Sequence, residues 1–197
     1  MSNDDIKELL IRILNLVKTD LGEGVETTIG SQLPALANLL VTKPMHVPDG
    51  SGSVFKTEVV IYRSPELTIK INYWHGDDPR ATPHTHPWPF ESFILHGGYT
   101  EITTLLSEDG TVSKEHRTFA AGDRNVVPLW TADGRRVGHT VGQVLPGTVT
   151  LMVCGPANPG LEWGHFEEAE SGVFQYVKTS PDPSFRDQLK AANKYMR

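Results

Sequence analysis

The stretch Pro83-His84-Thr85-His86-Pro87-Trp88-Pro89-Phe90-Glu91 decides how this chain is read. Histidine and glutamate are ligand types for a divalent transition metal. Side chains alternate along a strand, so His84 and His86 point the same way. Glu91 has the wrong parity to continue that face, and Pro87-Trp88-Pro89 lies between. Proline cannot donate to a central ladder, so the strand is expected to break there. Glu91 would then open the next strand, sharing a face with Phe93 and Leu95. His139, further along, is a fourth candidate ligand. If the four converge, they form a mononuclear metal site inside a β-barrel.

Strand signals surround this stretch. Leu67, Ile69, Ile71 and Tyr73 alternate with Thr68, Lys70 and Asn72, the pattern of a half-buried strand. Residues 99–106 and 111–119 flank Asp109-Gly110 and read as a hairpin. Residues 141–145 and 148–154 flank Pro146-Gly147 and read as another. Residues 173–178 make a last strand. The chain has 14 Pro and 18 Gly, which suits many turns and short strands.

Helices are expected at the ends. In residues 3–21, Ile6, Leu9, Leu10, Ile13, Leu14 and Val17 form one apolar stripe. Residues 32–41 predict a second, shorter helix, and residues 184–195 a third after Ser180-Pro181-Asp182-Pro183. Residues 43–53 read as a linker. The expected organisation is a helical extension over 1–45, a barrel over 54–178 and a helical tail over 179–197. The stripe in 3–21 fits packing on the chain's own barrel and fits a homodimer equally well.

The composition excludes several function classes. With 197 residues the chain suits one domain plus appendages. Lys and Arg number 18 against 24 Asp and Glu, a net charge of −6 without basic clusters. That argues against nucleic acid and against anionic membranes. No apolar run approaches the roughly 20 residues of a membrane-spanning helix. The first residues are acidic where a secretory signal is basic. Cys154 is the single cysteine, so no internal disulfide forms. It reads as a buried small hydrophobe. A cytoplasmic protein is the expectation.

His84, His86, Glu91 and Gly98, at their spacing, resemble the first motif of the cupin superfamily. Asp78 stands where that motif opens on glycine. Gly122 and Pro128 resemble the start of the second motif. His139 and Gln143 resemble its end, with Gln in place of Asn. Extra residues separate Pro128 from His139, among them Trp130 and Asp133-Gly134-Arg135-Arg136. His86-Pro87-Trp88, Gly97-Gly98-Tyr99, Gly155-Pro156 and Trp163-Gly164 also resemble a bacterial and phage cupin group. The resemblance implies a mostly β double-stranded β-helix, the cupin jelly-roll barrel, with N-terminal helices and a short C-terminal helix. It implies metal ligands His84, His86, Glu91 and His139, leaving two open positions of an octahedron. Fe(II) suits that set first, with Mn, Ni, Co or Zn as alternatives.

The function expected from this resemblance is an iron-dependent oxygenase or dioxygenase acting on a small molecule with O2. A non-redox metal isomerase or lyase is the second reading, and a non-catalytic ligand-binding cupin the third. Trp88, beside the ligands, is a candidate pocket wall. Arg124 and Tyr73 are candidates for orienting substrate, because an Arg fork matches a carboxylate. Surface arginine and core aromatic are the commoner roles for such residues. His165 is a weaker alternative ligand, since a lone loop histidine is usually solvated.

Overall fold

A computed structural model describes residues 44–179 and 183–193. The expected helices over 3–21 and 32–41 lie outside the described residues. Twelve strands follow in order. They are β1 (Met45–Pro48), β2 (Val54–Arg63), β3 (Thr68–Trp74), β4 (His84–Thr85), β5 (Phe90–His96) and β6 (Gly98–Leu106). Then come β7 (Val112–Ala120), β8 (Arg124–Val127), β9 (Arg136–Gly142), β10 (Val149–Cys154), β11 (Gly164–Glu168) and β12 (Phe174–Lys178). One helix, α1 (Pro183–Ala192), ends the described chain. Among the described residues no helix is long and apolar enough to cross a membrane.

The strands form two six-stranded sheets, ordered β1-β2-β3-β10-β5-β8 and β12-β11-β4-β9-β6-β7. Neighbours pair antiparallel, and the chain repeatedly crosses from one sheet to the other, which makes a jelly roll. The crossing from β5 to β6 is made at Gly97, which has φ +73°. Any Cβ there would collide with Thr148, so the tight turn needs glycine twice over. The hairpin across Asp109-Gly110 forms as expected, with β6 and β7 in register from Gly98↔Ala120 to Leu106↔Val112.

Three local expectations need correction. The turn at Pro146-Gly147 closes no hairpin: β9 pairs with β4 and β6, whereas β10 pairs with β3 and β5. Gln143, at φ 50°, starts an arch between the sheets, anchored where Val144 N donates to Asp77 Oδ1 (2.7 Å) and Leu145 N to Gly98 O (2.9 Å). The expected linker contains β1, so the sheet begins before residue 54. Pro44 precedes this edge strand and Pro48 ends it, and an edge tolerates both. Asn193 ties this edge to the end of α1: His46 N donates to Asn193 Oδ1 and Asn193 Nδ2 donates to His46 O, both at 2.7 Å.

The third correction concerns β3. Its polar residues, not its aliphatic ones, face the barrel interior. Trp74 packs with Tyr99 and Val141 of the opposite sheet. Asn72 is fully buried and donates to the Met152 sulfur. Ile69 and Leu67, on the other face, are buried as well. Inside the barrel, one cluster joins Phe55, Trp74 and Ile94 to Tyr99, Phe119 and Val141. A second joins Phe90, Val127 and Met152 to Leu105 and Val137. Each takes residues from both sheets. Each fully buried side chain of this kind contributes about 1.5–3 kcal/mol.

Candidate metal centre

Short strand β4 and its partner β9 build the centre. His84 lies directly across from His139, and His139 in turn lies across from Thr103 of β6. His86 follows one residue beyond β4, just before the Pro87-Trp88-Pro89 break. The three histidines offer ligand nitrogens within 4.8 Å of one another and are the group suited to a metal among the described residues. His86 Nε2 and His139 Nε2 stand 2.9 Å apart. Two imidazole nitrogens each about 2.0–2.1 Å from one ion lie about 2.9 Å apart at a right angle and about 3.3 Å apart at a tetrahedral angle. The observed spacing therefore fits a shared ion.

Protonation suits the same role. Burial first, then the neighbouring His139 and Arg80, holds the His84 and His86 rings well below the ordinary histidine range. Neutral imidazole is the form that binds a metal. His139 is fixed from behind. Its Nδ1 donates to Glu101 Oε2 at 2.7 Å, because a carboxylate can only accept. The lone pair is thereby left on Nε2, aimed at His86. Glu101 is buried and also accepts from Asn125 Nδ2 (2.8 Å) and Thr103 Oγ1 (3.2 Å). Burial alone would raise its carboxyl, but His139 and these hydrogen bonds hold it below the usual range. This is the carboxylate–histidine support typical of metal ligands.

Glu91 is not brought to the histidines. The Pro87-Trp88-Pro89 break occurs as expected, and β5 begins at Phe90. Phe90 joins the interior cluster and Ser92 is buried, so Glu91 between them faces out of the barrel. It sits across from Val126 and Val153. There Arg124 forks its carboxylate, Nη2 to Oε1 at 2.7 Å and Nε to Oε2 at 3.0 Å. The converging donor set is thus three histidines, without the expected carboxylate.

The candidate substrate residues divide. Trp88 is beside the centre, its ring centroid 6.1 Å from that of His86. Trp163 is nearer, at 4.6 Å, and the two indoles meet edge to face. Phe90 closes another side, its ring 5.0 Å from that of His86. Arg124 is engaged with Glu91 on the outer face. Tyr73 is on the face of β3 opposite Trp74, half-exposed and packed edge-on against His75. His165 pairs across from His84 in register, but its Nε2 is 3.8 Å from Glu167 and it is not one of the converging histidines.

Sequence reading missed Glu101 and a charged row on β2 and β3. Glu101 shares strand parity with Tyr99 and Leu105, both core residues, and that was its available signal. The row is Lys56, Glu58 and Lys70. Both ammoniums bind Glu58 Oε1, at 2.8 and 3.1 Å, with side chains only 11–14% exposed. Lys56 pairs in register with Trp74, so the row faces inward. Glu58 and Lys70 line a cavity of ≈ 430 Å³ whose other walls include Trp88, Trp163 and Arg63.

No family model matches the chain, and no curated protein does. Solved structures do. KdgF from Halomonas sp. is 16% identical, with 60% of this chain and 89% of that chain covered and a TM-score of 0.42. An RmlC-like cupin from Shewanella frigidimarina is 15% identical over 60% and 86%, with a TM-score of 0.38. HEPD from Streptomyces albus, solved with 2-hydroxyethylphosphonate and Fe(II), is 13% identical over 58% and 24%, with a TM-score of 0.42. The likeness is one of broad architecture, and the assignment rests on the chain's own features. Two interleaved antiparallel sheets, a His-x-His pair at the end of an inner strand and a third histidine across from it give this chain the architecture of a jelly roll with a histidine cluster inside, the arrangement that the sequence resemblance implies.

Proposed function

We propose that this chain is a mononuclear metal-dependent enzyme acting on a small molecule, and that its reaction is an iron-dependent oxygenation. One observation carries the metal reading: two histidine nitrogens converge at 2.9 Å while a buried glutamate fixes the tautomer of one of them. His84, His86 and His139 would hold the ion. When bound, the metal supplies Lewis acidity and, as iron, the one-electron chemistry with O2 that side chains lack. The chain's own residues do the rest. Glu101 keeps the His139 proton on Nδ1. Phe90, Trp88 and Trp163 shield the centre from water. Three protein donors leave room beside the ion for a substrate atom and O2.

A second reading is a non-redox lyase or isomerase. The all-histidine donor set favours it, since three neutral histidines also suit zinc. Metal analysis of the full chain purified without oxygen, with His86→Ala beside it, tests the shared claim. Near-stoichiometric metal is expected in the wild type, with at least a tenfold loss in the variant. Equal metal in both would refute it. Iron together with substrate-dependent oxygen uptake supports oxygenation, whereas zinc without uptake supports the second reading.

A further inference from the structure

The Lys56–Glu58–Lys70 row has no part in holding a metal, yet it sits inside the barrel. Two ammoniums share a single carboxylate oxygen. Buried cations are costly unless fully paired, so such a row is unusual as mere scaffolding. A lysine ammonium has three donors, and Lys70 has one protein acceptor among the described residues, Glu58 Oε1. Lys70 also faces open space, because it lines the ≈ 430 Å³ cavity with Arg63 at an exposed position. Trp88 and Trp163, the two indoles packed on His86, line the same cavity. The cavity thus carries two cations, one carboxylate (Glu58) already bonded to both lysines, and two indoles that are shared with the metal centre.

We propose that this cavity is the substrate's anion pocket: Lys70 and Arg63 take the carboxylate or phosphoryl oxygens of a small organic anion, and Trp88 and Trp163 hold its body beside His86. Lys56 and Glu58 are positioning residues, since Glu58 draws Lys70 to its place and Lys56 braces Glu58. Charge-assisted hydrogen bonds to an oxyanion supply affinity that a neutral molecule of the same shape cannot gain. The proposal names the substrate class of the metal enzyme proposed above and rests on that reading for its reaction, not for its binding.

Calorimetric titration of the chelator-treated full chain with benzoate, phenylphosphonate and benzamide tests it. At least one anion should bind about tenfold or more tighter than neutral benzamide, and the preferred anion separates carboxylate from phosphoryl substrates. Lys70→Met, checked for folding by circular dichroism, should lose that preference. If Lys70→Met does not fold, Arg63→Glu carries the test: it should weaken the anions and leave benzamide unchanged. Equal binding of all three probes, or a folded Lys70→Met that keeps the preference, overturns the proposal. Because no metal is present in these titrations, the two readings fail separately. A wild type that takes up no metal yet selects anions sinks only the enzyme, and one that takes up metal but is blind to charge sinks only the pocket.

Discussion

Glu101→Gln isolates the contribution of one buried charge to the metal centre. The carboxylate accepts from His139 Nδ1 at 2.7 Å and Asn125 Nδ2 at 2.8 Å, both on Oε2, and from Thr103 Oγ1 on Oε1. Glutamine can keep all three contacts. Its carbonyl takes the Oε2 place, its amide takes the Oε1 place, and the Thr103 hydroxyl rotates to accept. The loss is then the difference between a charge-assisted bond of about 1.5–3 kcal/mol and a neutral one of about 0.5–1.5 kcal/mol. That difference, about 1–1.5 kcal/mol, weakens metal binding about tenfold, within the range seen when outer partners of ligands change. Glu101→Ala is harsher, because it strips the acceptor from two buried donors at about 1–3 kcal/mol each. Its metal affinity and its folding stability should both fall further. Competition against a chromophoric chelator for Co(II) or Zn(II) gives the three dissociation constants, and denaturant melts of the metal-free chains give stability. A folded Glu101→Gln that binds metal as tightly as wild type would refute the reasoning, leaving Glu101 as an ordinary core acceptor.

Two further outcomes follow from the charged groups. Glu91→Ala should leave metal stoichiometry unchanged while costing up to about 1 kcal/mol of stability through loss of the partly exposed pair with Arg124; metal analysis plus a urea melt checks both, and lost metal would return Glu91 to the donor set. Glu58 is buried, which alone would raise its carboxyl, but Lys56 and Lys70 pull it from 4.5 down to about 2. Its contribution is therefore complete above pH 4.5 and lost as pH falls towards 2, by roughly 3 kcal/mol at most. Burial also lowers the Lys56 ammonium, so the row's net contribution is smaller. Urea melts at pH 3 and pH 6 should show a shallower pH dependence in Glu58→Gln than in wild type, and identical slopes would count against the pairing.

The sequence was most legible where chemistry and parity agree. His84 and His86 share a face because strands alternate, and two prolines around Trp88 must end that strand. His139 was placed by its resemblance to a second motif, and pairing across from His84 brings it to the others. Glu91 shows the limit. Motif spacing offered it as a ligand, but one residue of register decides which face a strand residue occupies. Phe90 wins the inward position. The turn at Pro146-Gly147 failed for a different reason: glycine and proline mark a reversal without saying whether the chain rejoins its own sheet. In β3 the aliphatic face was read as the buried one, which holds when only one face is covered. Here Leu67 and Ile69 on one face and Asn72 and Trp74 on the other are all buried, so hydrophobicity could not say which face looks into the barrel.

That inverted strand bears on function. Lys70 and Asn72 point inward because the barrel interior has a use for polar groups. The carboxylates around the centre are already committed. Glu58 serves two ammoniums, Asp78 is held by Arg80, Glu101 supports His139, and Glu91 faces out to Arg124. Lys56 and Lys70 share Glu58, Arg80 pairs with Asp78, and Glu101 is bonded to His139. A divalent ion on three histidines would therefore add two positive charges where the named carboxylates are already engaged. In an interior of low dielectric, such an excess favours an anionic partner strongly. Exporting Glu91 to Arg124 removes the charge that would have offset half of it. A cavity lined by Lys70 and Arg63 beside a histidine donor set is thus what a centre built to draw in an anionic substrate requires, and a neutral substrate would leave Lys70 only its bond to Glu58.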